Sequence, residues 1–289
     1  MKTKTLLIAA ATLAAGIISS QAQSNVYSAN IVGYVNTVVN GGGSYALLSN
    51  PLLTGTNAAS QLLNGLNATV GGEIIYLWNG TGYYAYQYQG LGVGTGIGFQ
   101  SDWTDGGVSW PAASSIPGAQ TDSGNQVYWT PEPNLTNSQG FFIYNPNGNE
   151  TNTFVGTVVT TNSLSIPGGG QYSLLGSAIP VSGDVTTNTA INLSANFGSS
   201  GGEIVYVWNG TGYYAYQYQG LGVGTGIGYQ SDWTDGGVSW PAASTIPGAQ
   251  TDSGDQVYWV PSPNLGVGQG FFIFNPNSNE NWNQNVNIH

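Results

Sequence analysis

The second half of the chain repeats the first. Residues 71–150 align without a gap to residues 201–280, and 68 of these 80 positions are identical. A duplication of this length requires that one sequence pattern fold twice, so the protein is predicted to contain two copies of one module. A signal peptide is predicted at 1–22, a first module at 23–153 and a second module at 154–289.

Looser matches extend the repeat toward its N-terminal side. The segment GGGSYALLSNP from Gly41 matches GGGQYSLLGSAIP from Gly168, and IVGYVNTVV from Ile31 matches FVGTVVTTN from Phe154. The strand TFVGTVV is therefore expected to close the first module and open the second. This layout leaves NIVGYVNTVV at the start and NENWNQNVNIH at the end without partners, and two such free ends can join head to tail into an open fibre.

Each module shows the signals of antiparallel strands. The run EIIYLW is followed by turn residues beginning at Asn79-Gly80 and then by the tyrosine-rich run YYAYQYQ, which predicts a β-hairpin; Asn209-Gly210 marks the same turn in the second copy. The segments QVYW, GFFIYN and TFVGTVV read as further strands, and NAASQLLNGL as one short helix with Leu62, Leu63 and Leu66 on one face. The predicted fold is all-β: two tandem small antiparallel β-barrels or β-sandwiches, with at most one short helix each.

The N-terminus has the pattern of a secretory signal. Lys2 and Lys4 precede an apolar stretch, and small residues before Gln23 form a cleavage site. No second long apolar run follows, so membrane insertion is not expected. We expect a secreted protein, extracellular or at the cell surface.

No lysine, arginine or cysteine follows Lys4, and the only histidine is His289. We do not expect the protein to bind nucleic acid, because neutralising the phosphates requires Lys or Arg. Without disulfides, an exported chain must be stabilised by burial of its many aromatic rings.

Several segments resemble a group of exported bacterial tandem β-repeat proteins that have no known activity. The resemblance is carried by the opening VYSANIVGYVN, by SYALLSNPL and YSLLGSAIPVSGDV, by the hairpin IYLWNGTGYYAY and by the close WTPEPNLTNSQGFFIYNP. It implies an exported β module and no chemistry. This chain departs from that pattern by an insert at about 90–125, so a function peculiar to the protein is expected there.

The insert begins with glycines at every second position. In a strand these glycines would share one bare face, on which another backbone or a ring, such as those of Tyr84, Tyr86 and Tyr88, can lie closely. The alternative is an internal packing device or a flexible loop. The predicted self-association residues are Gly90, Gly92, Gly94, Gly96 and Gly98, with Gly220, Gly222, Gly224, Gly226 and Gly228 in the second copy.

Carboxylates recur in the rest of the insert, and no cation accompanies them. Such a set favours a hard metal ion, so Ca²⁺ is a candidate ligand and no other cofactor is predicted. Turn capping by solvated aspartates explains the same residues. The candidate ligands are Asp102, Asp105 and Asp122, and Asp232, Asp235 and Asp252 in the second copy.

Tryptophans interleave with these carboxylates, a combination suited to stacking on sugar rings. Trp103 and Trp110, and Trp233 and Trp240 in the second copy, are the candidate platforms for a polysaccharide. Core packing is the alternative role for each ring.

The sequence supplies little for catalysis. A serine nucleophile would have no histidine base, and only a carboxylate pair drawn from Asp102, Asp122 and Glu73 could act in hydrolysis. We therefore expect no enzyme and no catalytic residue. The leading hypothesis is a structural protein that associates with itself into a filament, sheath or surface layer; the alternative is a tandem carbohydrate-binding or adhesion module.

Overall fold

The structure is a computed structural model that describes residues 31–94, 101–197, 201–224 and 231–287. The predicted signal peptide lies outside these residues. The first repeat contains the strands β1 Val32–Val39, β2 Ser44–Ser49, β3 Ile74–Trp78, β4 Tyr83–Tyr88, β5 Trp103–Asp105, β6 Gln120–Asp122, β7 Val127–Thr130, β8 Gly140–Asn145 and β9 Glu150–Thr157. The second contains β10 Thr161–Ile166, β11 Gln171–Gly176, β12 Gly183–Asp184, β13 Ile204–Trp208, β14 Tyr213–Tyr218, β15 Trp233–Asp235, β16 Gln250–Asp252, β17 Val257–Val260, β18 Asn264–Leu265, β19 Gly270–Asn275 and β20 Glu280–Asn285.

Each repeat is built on one seven-stranded antiparallel sheet. The strand order is β2-β8-β3-β4-β5-β7-β6 in the first repeat and β11-β19-β13-β14-β15-β17-β16 in the second. The predicted all-β class and tandem architecture are confirmed. Within the described residues neither sheet closes into a barrel, so of the two predicted architectures the barrel is wrong. The insert supplies β5 and β6 in the first repeat and β15 and β16 in the second, and these strands extend each sheet at one edge.

A two-stranded antiparallel ribbon packs on one face of each sheet. The ribbon of the first repeat pairs β1 with β9 along eight residues, and that of the second pairs β10 with β20 along six. The described parts of the two segments that were predicted to be free, β1 and β20, are thus paired inside their own repeats, so that prediction is wrong for them. The segment from Phe154 is the partner of β1 rather than its counterpart, which is β10.

The hairpin signals are confirmed. Strands β3 and β4 are joined by the loop Asn79–Gly82, in which the Asn79 side-chain oxygen accepts hydrogen bonds from the amides of Thr81 and Gly82 at 3.1 and 2.9 Å. Asparagine is suited to this position because its side chain bonds the backbone two and three residues onward. The loop from Asn209 repeats the same contacts.

The core of each repeat lies between the sheet and the ribbon. In the first repeat Ile75 and Leu77 of β3 face Val35 of β1 and Phe154 of β9. The short helix α1, Ala59–Leu62, closes the side of this core, and the second repeat has a 3₁₀-helix, Ser194–Asn196, in the corresponding region. Neither helix has the length or apolar character needed to span a membrane, and the described residues contain no other candidate.

The opposite faces of the two sheets pack against each other within one compact unit, Val32–His289. A small apolar cluster at this contact consists of Leu47, Phe142, Leu174 and Phe272. Backbone hydrogen bonds cross it in pairs, from the Ser49 amide to the Gly268 carbonyl and from the Gly176 amide to the Ser138 carbonyl, both at 2.8 Å. A side chain at Gly140 would collide with Leu174. Glycine therefore does permit close approach in this protein, but at the contact between the repeats.

Candidate functional site

The packed sheet faces leave an aromatic cleft between the repeats. In each repeat β3 contributes a tyrosine and a tryptophan, β4 contributes its first tyrosine, and β2 and β8 add one ring each. We define the aromatic cleft by these ten residues: Tyr45, Tyr76, Trp78, Tyr83 and Phe142, and their counterparts Tyr172, Tyr206, Trp208, Tyr213 and Phe272.

The cleft contains two pockets that are related by the repeat. The first, of about 400 Å³, is lined by Tyr45, Tyr76, Tyr83, Phe142, Trp208 and Tyr213. The second, of about 270 Å³, is lined by Tyr172, Tyr206, Tyr213, Phe272, Trp78 and Tyr83. Exchanging every residue for its counterpart converts one lining into the other, so the cleft has approximate two-fold symmetry. Each pocket takes its tryptophan from the other repeat, and neither is complete without both copies.

The tryptophans are held by hydrogen bonds across the contact. The indole N–H of Trp78 donates to the Tyr172 carbonyl at 3.2 Å, and that of Trp208 donates to the Tyr45 carbonyl at 3.3 Å. Trp78 also meets Phe272 edge to face, with ring centroids 5.3 Å apart. These contacts fix the orientation of the indole rings while leaving part of each ring accessible.

Tyrosine hydroxyls supply the polar groups of the cleft. Burial raises the pKa of Tyr83 and the pKa of Tyr213, and each of these two phenols influences the ionisation of the other. Burial, followed by a hydrogen bond with Tyr45, raises the pKa of Tyr76 to about 12. Burial and a hydrogen bond with Tyr172 raise the pKa of Tyr206 to about 12 in the same way. These phenols are therefore uncharged at physiological pH.

The alternating glycines do not form the predicted strand where the structure describes them. Residues 91–94 form a turn, and Gly90 and Gly92 have φ values of +97° and +78°. Gly220 and Gly222 repeat this conformation, with φ values of +109° and +77°. A turn cannot present these glycines along one strand face, so the prediction of a bare strand face is wrong for Gly90, Gly92, Gly94, Gly220, Gly222 and Gly224. Self-association through the glycines stays a prediction, and Gly96, Gly98, Gly226 and Gly228 lie outside the described residues.

The ring nearest to this turn is also not the predicted one. A side chain at Gly94 would lie 3.1 Å from the Trp129 ring, and at Gly224 it would lie 3.1 Å from the Trp259 ring. Tyr88 instead packs in the core against Trp103, with ring centroids 5.0 Å apart.

The structure places the four predicted stacking tryptophans in two environments. Trp103 and Trp233 are only 1 % and 0 % exposed, so their predicted role as sugar platforms is wrong and the core role holds. Trp110 and Trp240 are half-buried, and each lies 5.4 Å from a tyrosine of the same repeat, Tyr128 or Tyr258, at an interplanar angle of 34°. Ligand stacking at this second pair stays a prediction.

The predicted metal ligands mostly serve turns. Asp105 accepts hydrogen bonds from the Gly107 amide and the Ser114 hydroxyl, and Asp122 accepts them from the amides of Gly124 and Asn125. Asp235 and Asp252 repeat these contacts. Asp102 and Asp232 lie at the other end of β5 and β15 from Asp105 and Asp235. No group of three acidic or histidine side chains able to hold a metal is found among the described residues, and calcium binding stays a prediction without support from these contacts.

Sequence reasoning missed the aromatic cleft, although one signal pointed to it. In β3 the buried residues Ile75 and Leu77 alternate with Tyr76 and Trp78, so both faces of the strand carry large apolar groups. Such a strand is covered on both sides. The cleft side chains belong to the second of these faces.

Comparisons with protein-family models, with curated proteins and with solved structures found no match to this chain.

Proposed function

We propose that the protein is an exported, non-enzymatic carbohydrate-binding protein and that the aromatic cleft is its binding site. The observation that carries this proposal is the pair of two-fold-related pockets, lined only by aromatic rings and completed by a tryptophan from the other repeat. Aromatic faces stack on the apolar faces of sugar rings, and the tyrosine hydroxyls can bond sugar hydroxyls.

The electrostatics of the cleft favour a neutral ligand. The two pockets are lined only by tyrosine, tryptophan and phenylalanine side chains, with no carboxylate and no basic group among them. The chain as a whole has a formal net charge of −11, which repels anionic ligands. A neutral polyhydroxyl compound fits this combination better than a charged or purely apolar one.

Two pockets favour a polymeric ligand. The larger pocket lies within the range of about 300–1,000 Å³ typical of ligand sites, and the smaller lies just below it. A polysaccharide that occupies both pockets gains affinity because its second contact is intramolecular. The approximate two-fold symmetry lets a chain of identical units bind in either direction.

The test is retention of the full-length protein on insoluble cellulose, chitin and xylan, followed by calorimetry with soluble fragments of any polymer that retains it. Tyr45→Ala combined with Tyr172→Ala removes one ring from the rim of each pocket. Both side chains are 43 % exposed, so the fold should tolerate their loss. We expect affinity to fall about 10-fold or more, since each ring contact contributes about 0.5–1.5 kcal/mol beyond its buried area.

The matched control is Trp110→Ala combined with Trp240→Ala, which removes a half-buried aromatic pair outside the cleft. This variant should bind as the wild type does. If the control lost binding and the Tyr45 and Tyr172 variant kept it, the binding site would lie outside the cleft. Failure of the wild type to bind any neutral polysaccharide would refute the function itself.

A further inference from the structure

The outer face of the β1–β9 ribbon is apolar and exposed. The inward residues Val35, Thr37 and Val39 are buried in the core, and the residues that alternate with them, Val32, Tyr34, Asn36 and Val38, point outward. The exposed fractions are 57 % for Val32, 71 % for Tyr34, 61 % for Val38 and 47 % for Val155. Tyr34 and Val155 are cross-strand partners, so their side chains lie side by side.

The corresponding ribbon of the second repeat shows that the fold does not require this face to be apolar. The cross-strand pair Val39–Glu150 corresponds to Ile166–Glu280, because Glu150 and Glu280 align in the duplication. Counting from that pair, Tyr34 corresponds to Thr161, Val38 to Ser165 and Val155 to Asn285. The exposed residues of the second ribbon are all polar: Thr161, Ser163, Ser165, Asn281, Asn283 and Asn285.

The absence of charge on this face limits what can cover it. Its residues are Val32, Tyr34, Asn36, Val38, Thr151, Thr153, Val155 and Thr157, with no carboxylate or basic group. A basic partner finds no counter-charge there, whereas two copies of this acidic protein can approach through it without opposing carboxylates. The same face of a second copy is equally apolar and uncharged, so the two faces can pack together.

We propose that two copies of the protein associate through the outer faces of their β1–β9 ribbons. A two-fold axis parallel to the strands places β1 of one copy over β9 of the other, so that Tyr34 meets Val155 twice. The exposed apolar area is on the order of 400–500 Å² per copy, which is within the range of functional surface patches. Packing buries about 1,000 Å² in total, near the lower limit for a specific interface, so the dimer should dissociate on dilution. The ribbon is distinct from the aromatic cleft, and the inference does not depend on carbohydrate binding.

The test is sedimentation equilibrium of the full-length protein over concentrations up to about 100 µM. The variant Tyr34→Thr/Val38→Ser/Val155→Asn replaces three outer residues of the first ribbon with their counterparts in the second. We expect a reversible dimer for the wild type and a monomer for the variant. Tyr34→Thr alone should weaken the dimer about 30-fold, as expected for a central aromatic anchor.

The reciprocal variant, Thr161→Tyr/Ser165→Val/Asn285→Val, is the matched control. It gives the second ribbon the apolar face and should create higher oligomers, because each molecule then has two such faces. A wild-type chain that stays monomeric at about 100 µM overturns the proposal, whatever else covers the ribbon. A dimer that survives the triple substitution in the first ribbon overturns it as well.

Discussion

The inner faces of the two ribbons can be compared pair by pair. Beyond the shared pair Val39–Glu150 or Ile166–Glu280, two cross-strand pairs of each ribbon face the core: Val35–Phe154 and Thr37–Asn152 in the first, Asn162–Gln284 and Leu164–Trp282 in the second. The apolar pair and the polar pair have exchanged places, since Thr37–Asn152 corresponds to Leu164–Trp282. Each ribbon nevertheless fills its core with one large ring, Phe154 or Trp282, that is completely buried.

One buried amide in each polar pair, Asn152 or Gln284, bonds a different local backbone group, whereas the side-chain nitrogen of Asn162 has no hydrogen-bond partner among the described residues. The Asn152 side-chain oxygen accepts a hydrogen bond from the Gly65 amide at 2.8 Å, and that of Gln284 accepts one from the Ala178 amide at 2.9 Å. A buried amide is tolerated where a neighbouring backbone group needs a partner. The fold therefore requires one buried ring and one hydrogen-bonded buried amide in each ribbon, but it does not fix their order along the strands.

The largest effect should follow from removing the buried rings. Trp282 contacts Phe271 at 5.5 Å and donates its indole N–H to the Ile191 carbonyl at 3.3 Å. Trp282→Ala should lower the free energy of unfolding by about 3–5 kcal/mol because it leaves a cavity. The aligned change Asn152→Ala should cost about 1–3 kcal/mol through the unpaired Gly65 amide.

Urea unfolding followed by tryptophan fluorescence measures these differences. At the other aligned pair the larger loss of unfolding free energy should occur in the first ribbon, so that Phe154→Ala costs more than Gln284→Ala. Equal costs at aligned positions would contradict the exchange of roles between the ribbons.

A smaller effect is expected from pH, at a carboxylate pair in the first repeat. Glu73 is fully buried, and one of its oxygens accepts hydrogen bonds from the Asn67 amide and the Asn147 side chain at 2.9 and 2.8 Å. Its other oxygen has no hydrogen-bond partner among the described residues. Burial, followed by repulsion from Glu73, raises the pKa of Glu150 to about 7.

The sign of the pH dependence follows from this shift. A carboxyl whose pKa is raised by folding binds its proton more tightly in the folded state. Its contribution to stability is present in full below the pKa of the unfolded chain and is lost as pH rises through about 7. The melting temperature should therefore be higher at pH 5.5 than at pH 8.

Glu150→Gln tests this assignment, since it removes the titration while keeping the shape of the side chain. The difference in melting temperature between the two pH values should shrink in this variant. An unchanged difference would assign the pH dependence to another group.

The limits of sequence reasoning follow from the range of each interaction. The hairpin at Asn79-Gly80 is a local structure, and the burial of Leu62 and Leu63 follows from one short segment, so both could be predicted. The pairing of β1 with β9 joins residues more than 100 positions apart, and no local pattern specifies it.

The candidate site was harder to predict than the fold. Trp103 and Trp110 lie seven positions apart in the same insert, yet one is buried and the other half-exposed, because only the first belongs to a strand that faces the core. The aromatic cleft arises from the packing of two sheets against each other. The sequence of β3 shows that both faces of this strand are covered. It does not show the pockets, because these depend on how the two sheets pack against each other.

The smallest expected effect concerns one turn in which the repeats differ by a single residue. Asp122 has a lowered pKa because the Asn125 side chain donates to it at 2.9 Å, with further hydrogen bonds from the Asn125 amide and the Trp129 indole. In the second repeat Asp255 replaces that asparagine, and the lowered pKa of Asp252 rests first on the Asp255 amide. Asn125→Asp should therefore raise the pKa of Asp122, because it removes that donor and adds a negative charge, and Asp255→Asn should lower the pKa of Asp252.

Carboxyl NMR titration of both aspartates in the wild type and in each variant measures these shifts directly. A lowered pKa stabilises the folded state in full above the pKa of the unfolded chain, and this contribution is lost as pH falls through the lowered pKa. The stability of the two variants should therefore differ from that of the wild type at neutral pH and become equal to it in acid. If Asn125→Asp left the titration of Asp122 unchanged, its low pKa would be due to the backbone amides and Trp129, and the two turns would be equivalent in spite of their sequences.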